Sequence, residues 1–413
     1  MANAISGITV MIQVDALRHD YITNEDSPFL FALQQKGVKG SLIPTFGFEP
    51  DAAYFAGLYP DETDRGSHYW FDPENSAFKF TKFWLRGVKH LPELPELVTR
   101  KAISCLAQRS SVHSAVRCRA STGRIPFYLL HYFDFPVKRF PFEENFISGK
   151  ETIFDILRKR KTPWFFHGSP SHYVNSELVL QRVRNELRSP CAFVFLHVGD
   201  LDGVGHRYGP DSVERKDALR KTDARIAEIY EIIKGRFSDV HLLILGDHGM
   251  VKVSQKADVW SGLNKLELIT GKDYIYFLDS TMARFWFFND KAKRQVMNFL
   301  ENMTEGHVLT EEEKMRYHIN YSHNKFGDVV FLANPGVLIY PNFFQYYHPV
   351  KGAHGYIPEF TGQQSALIIY SPEILAARHI MQPIDMRRVF PTILKLLRLD
   401  KLCALTQNVE SII

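Results

Sequence analysis

Three aspartates and three histidines of this chain sit in compact signatures spread over most of its length. Asp15 lies in Val14-Asp15-Ala16-Leu17-Arg18, Asp202 and His206 in Asp-Gly-Val-Gly-His, Asp247 and His248 in Asp-His-Gly, and His354 in Gly-Ala-His-Gly-Tyr. Carboxylate oxygen and imidazole nitrogen together suit zinc best, with manganese or iron as alternatives, and suit calcium less well. As a set, the six are what a two-metal hydrolytic site needs. Taken singly they are unequal signals. An aspartate after a strand commonly caps a helix, so Asp15 alone says little. Asp202 and His206, four apart, share a face if the segment is helical, but Gly203 and Gly205 suit a tight loop equally. Asp247-His248 is stronger, because a charged pair leaving the apolar run Leu242-Leu243-Ile244-Leu245 requires partners. His354 alone reads as an ordinary surface histidine.

The elements that must position these residues show as short apolar runs: 8–14, 163–167, 192–198, 240–245 and 365–370. Their near-continuous apolarity predicts strands buried on both faces, as in a parallel sheet covered by helices. Helical patterns lie between them at 26–36, 151–160, 212–234 and 386–397. The alternation predicts an α/β fold with a doubly wound, mostly parallel sheet. Asp15, Asp202 and Asp247 each follow one of the strands, and ligands bind at the carboxyl ends of strands in such sheets, so acids distant in sequence converge on one edge. Two stretches break the alternation. The organisation expected is a core over 1–79, 148–253 and 348–413, with insertions at 80–147 and 254–347.

With 413 residues, 45% of them hydrophobic, the chain is long enough for a large core carrying such insertions. Its four cysteines lack C-x-x-C spacing, which argues against a thiolate zinc site or a disulfide framework and for a reducing compartment. The start of the chain has no basic leader, and the apolar stretch after it is too short for a signal peptide or a span. The expectation is therefore a cytoplasmic soluble protein, with a peripheral membrane contact left open. Net charge is +4, yet Lys79 to Arg139 holds twelve Lys or Arg against three acids. An excess of that kind attracts anions, or is simply a solvated helical face. The aromatic patch from Ile125 to Phe133 inside it reads as the core of a small subdomain more readily than as a lipid-binding face. Charge alone would permit nucleic acid, but no nucleic-acid motif accompanies it.

The chain resembles the alkaline phosphatase superfamily and, within it, the type I phosphodiesterase and nucleotide pyrophosphatase branch. Asp15-Ala-Leu-Arg-His-Asp-Tyr21 is similar to that branch's D-G-L-R-x-D-Y, and Gly57-Leu-Tyr-Pro60 to its G-L-Y-P. Asp202 to Pro210 matches D-x-x-G-H-x-x-G-P, Gly246 to Met250 matches S-D-H-G-M except at its first position, and Gly352 to Tyr356 matches G-x-H-G-Y. The resemblance implies one metal held by Asp202, His206 and His354 and a second held by Asp15, Asp247 and His248, flanking one phosphoryl group. Sulfatases need C-x-P-x-R, which none of the cysteines has. Arg18 and Arg65 occupy sequence positions suited to a clamp on terminal phosphate, or to structural pairs.

The resemblance breaks at the nucleophile. The branch carries Thr or Ser ten residues before the glycine of G-L-Y-P, and here that position is Gly47. Three readings follow. Thr45 attacks from a shifted loop. Alternatively Glu49 or Asp51, at the entrance of a helix opened by Pro50, completes the metal shell or acts as general base for water. Or the chain is a metal-containing binding protein without turnover. A phosphoryl transferase on the same scaffold is a further rival. The leading expectation is a hydrolase of phosphodiester or pyrophosphate bonds in a nucleotide-like or lipid-linked anionic substrate. Its basic insertion serves as a lid, with Lys138 and Arg139 meeting the substrate.

Overall fold

A computed structural model describes residues 7–84, 93–168, 175–345, 348–399 and 409–413. Cys403 and residues 1–6, on which parts of the reading above rest, lie outside them. The core sheet uses β1 (Ile8–Val14), β2 (Val38–Ile43), β3 (Trp164–His167), β4 (Phe193–Val198), β5 (Val240–Leu245) and, late in the chain, β10 (Ser365–Tyr370). Its order is β2, β10, β5, β1, β4, β3, with short edge pieces Arg378–His379 and Ile384–Asp385 beside β2. Every residue of β1 and β5 is buried, as central strands covered on both faces require.

β5, β1, β4 and β3 run parallel, whereas β10 runs antiparallel to both β5 and β2. The sheet is therefore mixed on that side. An apolar run signals burial but not direction, because direction is set by where the preceding loop returns the chain. β2 escaped the sequence reading, since Lys39, Gly40 and Ser41 interrupt its apolar pattern.

The helices that pack on and around the sheets include α1 (Pro28–Gln34), α2 (Asp51–Ala56), α3 (Glu93–Ser110), α4 (Ser114–Arg119), α5 (Ile153–Lys159), α6 (Ser176–Glu186), α7 (Asp200–Tyr208), α8 (Val213–Lys234), α9 (Asp290–Glu301) and α10 (Val389–Leu396). Local chemistry starts several of them. Ser212 accepts from Arg215 N at the head of α8, and Thr152 with Asp155 forms a capping box on α5. α1, α6 and α8 lie over one face of the sheet, where Leu30, Val179 and Ile226 meet Val10 and Leu242. α2, α5 and α10 cover the other, where Phe55, Phe154 and Phe390 meet Met11 and Leu243.

A second sheet lies at 274–333: β6 (Tyr274–Leu278), β7 (Met282–Phe287), β9 (Val329–Ala333) and β8 (Gly306–Val308), all antiparallel. Its Phe277, Phe285 and Phe331 share one apolar cluster with Ile103, Val116, Ile125, Phe127, Leu130 and Phe133. The aromatic patch thus lies in a core that both insertions build together. The C-terminal ends of β1, β4 and β5 open toward this double insertion.

Candidate metal centre

Gln13 and His197 are polar residues in two largely apolar strands, and they are register neighbours one step before the ends of β1 and β4. They mark the edge where the site begins. Past β1 the chain turns sharply: Ala16 adopts φ +58°, a left-handed conformation that costs a Cβ-bearing residue about 1–2 kcal/mol. The family motif has glycine there. The turn aims Ala16 N at Asp247 Oδ1, 3.1 Å away, which binds the end of β1 to the end of β5. Asp247 also accepts from its neighbour His248 N at 3.0 Å and from Gln13 Nε2 at 2.9 Å.

Asp15, Asp247 and His248 offer ligand atoms that all lie within 4.8 Å of one another, and so do Asp202, His248 and His354. His248 stands between the two groups, with Nε2 3.4 Å from Asp15 Oδ1. The segment carrying Asp202 is helical, as α7, so the i,i+4 alternative holds over the loop: His206 Nε2 lies 3.2 Å from Asp202 Oδ1. His354 Nε2 approaches the same oxygen at 3.7 Å. All six predicted ligands therefore face one edge.

Their surroundings fit divalent cations. His206 Nδ1 donates to Gly352 O at 2.8 Å and His248 Nδ1 to Gly249 O at 2.8 Å, which directs each Nε2 inward as the atom a cation would take. Asp202 Oδ1 is buried without a hydrogen bond, and so is His354 Nδ1. Burial and the neighbouring Asp15 charge push the Asp247 carboxyl up to about 6. Burial opposes charge on His248, yet the Asp247 charge and the Asp15 hydrogen bond raise it to about 10. Burial, then the charges of His248 and His206, hold His354 well below the ordinary imidazole range, so it stays a neutral donor. Crowded carboxylates here draw protons onto histidine, a role that bound cations would take over.

The nucleophile position is closed. Gly47 has φ +99°, and a Cβ there would lie 2.0 Å from Gly66 O. No side chain fits, so the departure from the family pattern is built into the backbone. Beyond it, Glu49 and Asp51 reach a cavity of ≈ 210 Å³ together with Asp15, Asp202, Asp247, His248 and His354. Glu49 Oε1 lies 2.7 Å from His68 Nδ1. Burial alone would raise the Glu49 carboxyl, but the His68 hydrogen bond and charge hold it below its ordinary value. Asp51 differs: burial, then the Glu49 charge, raises it. Tyr54 Oη lies within hydrogen-bond reach of Asp51 Oδ1 and, at 2.8 Å, of Gln13 Oε1, and its single proton serves one of these two oxygens at a time; Gln13 Nε2 in turn donates to Asp247.

Three predicted residues are not at this site. Thr45 lines a separate cavity with Tyr59, His318 and Asp385. Lys138 is ion-paired with buried Asp134 beside another groove, and exposed Arg139 donates to Glu144 O. The basic residue that the insertion does deliver is Arg119, at the end of α4, which lines the cavity and an adjoining chamber of ≈ 550 Å³ walled by Tyr69, Val116, Phe135 and Phe344. Arg18 and Arg65 serve the fold: Arg18 pairs with Asp20 and Met250 O, and Arg65 stacks 3.7 Å from the Phe146 ring. His197, 3.3 Å from Asp15 Oδ2, escaped the sequence reading, although a lone histidine in Phe193–Val198 was a usable signal. Nothing local marks His68 or Arg119.

The sequence profile of the Type I phosphodiesterase / nucleotide pyrophosphatase family matches residues 9–357. An uncharacterized pyrophosphatase/phosphodiesterase of Schizosaccharomyces pombe is 24% identical over 269 residues, covering 62% of this chain and 48% of that protein. Ectonucleotide pyrophosphatase/phosphodiesterase family member 7 of Homo sapiens is 35% identical over 277 residues, covering 64% of this chain and 52% of that protein. The matched stretch thus spans about half the length of these two relatives. The solved structure of human ectonucleotide pyrophosphatase / phosphodiesterase 5 superimposes with a TM-score of 0.67 over 95% of both chains at 14% identity, a likeness of fold.

Proposed function

The chain belongs to the type I phosphodiesterase / nucleotide pyrophosphatase family, and from that premise we propose that it is a metal-dependent hydrolase. Its substrate would be a phosphodiester or pyrophosphate bond in an anionic, nucleotide-like or lipid-linked molecule. The observation that carries this reading is the convergence of Asp15, Asp202, Asp247, His248 and His354 on a cavity that also holds two further carboxylates and Arg119, with His206 beside it, 3.2 Å from Asp202 Oδ1. Asp15, Asp247 and His248 would hold one cation and Asp202, His206 and His354 the other, with zinc best suited to these donors and manganese or iron as alternatives. Bound there, the cations would neutralise charge that builds on the phosphoryl group and its leaving oxygen.

The protein's own groups divide the remaining work. Asp51, raised by burial and by Glu49, accepts the proton of an attacking water at its carboxylate, and Tyr54 holds that carboxylate in place. Glu49 stays ionised against His68. Arg119 meets the non-bridging oxygens of the substrate and orients them. Closure of position 47 favours direct attack by water over a covalent intermediate.

The same closure also suits a binding protein without turnover, so hydrolysis decides between the two. Metal-loaded wild type, Asp51→Asn and Glu49→Gln are compared on bis-p-nitrophenyl phosphate and p-nitrophenyl nucleotide esters. Loss of a general base costs about 10²- to 10⁴-fold in rate, and Asp51→Asn should show it with metal content intact. Wild-type protein carrying two metals without turnover on any ester would refute the hydrolase. The exposed thiols Cys105 and Cys118 suit the reducing, cytoplasmic compartment proposed for it.

A further inference from the structure

Helix α3 is apolar on the wrong side. Its inner face carries Arg100 and Ser104 beside Ile103 and Ala107, whereas Leu94, Val98 and Leu106 point outward, 72%, 62% and 53% exposed. The turn of helix at Thr81–Trp84 adds Phe83 and Trp84, 83% and 85% exposed, and Val112 beyond α3 is 88% exposed. Phe80 and Val112 line one groove, so the start of this stretch meets the end of α3. Single exposed apolar residues are ordinary, but a run of this kind marks an interaction surface.

Charge selects the occupant. Lys79, Lys82, Lys101, Arg109 and Arg117 are exposed around the apolar side chains. Between Lys79 and Arg139, the described acidic side chains are both shielded: Glu96 is ion-paired with Arg100 and Arg124, and buried Asp134 with Lys138. A patch whose described side chains present cations without opposing carboxylates repels a second copy of itself in a two-fold interface. It complements a surface that is apolar within and anionic at its edge, where tryptophan, phenylalanine and lysine have their preferred depths.

We propose that Phe83, Trp84 and the outer face of α3 dock this protein on an anionic phospholipid bilayer, lying on it without crossing it. No helix among the described residues is long and apolar enough to span a membrane. α4 forms the partition between this surface and the active-site chamber: Val116 lines both the groove beside Val112 and the chamber that Arg119 enters. A docked molecule would hold its chamber close to the lipid headgroups. That last link rests on the hydrolase reading, but docking itself does not.

Flotation of the purified chain with vesicles of phosphatidylcholine, or of phosphatidylcholine mixed with phosphatidylglycerol, tests docking without turnover. Wild type should float with the mixed vesicles, less so as salt rises, and weakly with phosphatidylcholine alone. Each basic side chain near such a surface contributes roughly fivefold in affinity, so Lys101→Glu with Arg109→Glu should weaken binding by roughly thirtyfold or more. Phe83→Ser with Trp84→Ser should abolish it, and these exposed positions leave folding intact. Absence of binding to mixed vesicles, equal binding to both compositions, or a concentration-dependent dimer that the same substitutions dissolve would each overturn the proposal. Loss of esterase activity with docking intact would instead strike the hydrolase reading alone.

Discussion

Gly47→Thr places a hydroxyl where the family carries its nucleophile, and the structure argues that it damages the protein instead of equipping it. A threonine at φ +99° stores about 1–3 kcal/mol of backbone strain. Its Cβ would also start 2.0 Å from Gly66 O, where contacts below 3.0 Å are essentially never found. Gly66 cannot retreat easily, because Tyr321 Oη stands 2.3 Å from where its own Cβ would be. Forcing the two loops apart adds an overpacking cost of about 1–3 kcal/mol, and the Phe48 N to Gly66 O bond at 3.4 Å goes with it. The sum is about 2–6 kcal/mol, with about 4 at its centre. With an unfolding entropy of about 2.1 cal/mol/K per residue over the whole chain, that corresponds to a fall in melting midpoint of roughly 5 °C. Thermal melts measure the cost, and rapid-quench hydrolysis of a p-nitrophenyl ester measures chemistry. A variant as stable as wild type that releases a burst of one p-nitrophenolate per chain would refute the reasoning. It would show that the loop can accept a nucleophile and that attack proceeds through a covalent intermediate.

Other expected outcomes follow from the same geometry. The Glu49–His68 pair sets a pH window. Glu49, held low in the fold, contributes stability above its ordinary value of 4.5 and loses it as pH falls. His68 resists burial through its Glu49 hydrogen bond and is held high, so it contributes below 6.5 and loses that contribution as pH rises through its folded value. The urea-midpoint gap between wild type and Glu49→Gln should therefore be widest from about pH 4.5 to 6.5, and a flat gap would show that the pair does not form. Asp247→Ala should lower metal content from two ions to one and abolish turnover, read by elemental analysis beside the ester assay. Because His248 is held up to about 10 without metal, metal uptake at neutral pH should release protons and weaken as pH falls, which calorimetry in buffers of different ionisation heat would show. Thr45→Ala should leave activity unchanged, whereas Arg119→Ala should raise KM and flatten its salt dependence.

Much of the site was legible before any coordinates because its signals are local. A mostly apolar strand followed by aspartate, as at Ile8 to Asp15 or Val240 to Asp247, announces both a buried strand and a charge that must find partners. Gly-flanked His354 and the Asp202–His206 spacing add two more such marks, and parallel strands bring their carboxyl ends together whatever the loops do. These features determined the candidate ligand set and the α/β class. The tertiary structure alone decided that position 47 is closed and which carboxylates and which cation line the cavity beside it. Those answers depend on contacts between residues far apart in the chain: Gly66 O closing position 47, His68 holding Glu49 ionised, Arg119 arriving from the insertion while Lys138 turns to Asp134. Strand direction at β10 belongs with them. Apolarity and spacing record whether a residue leaves water, but not which distant side chain it meets when it does.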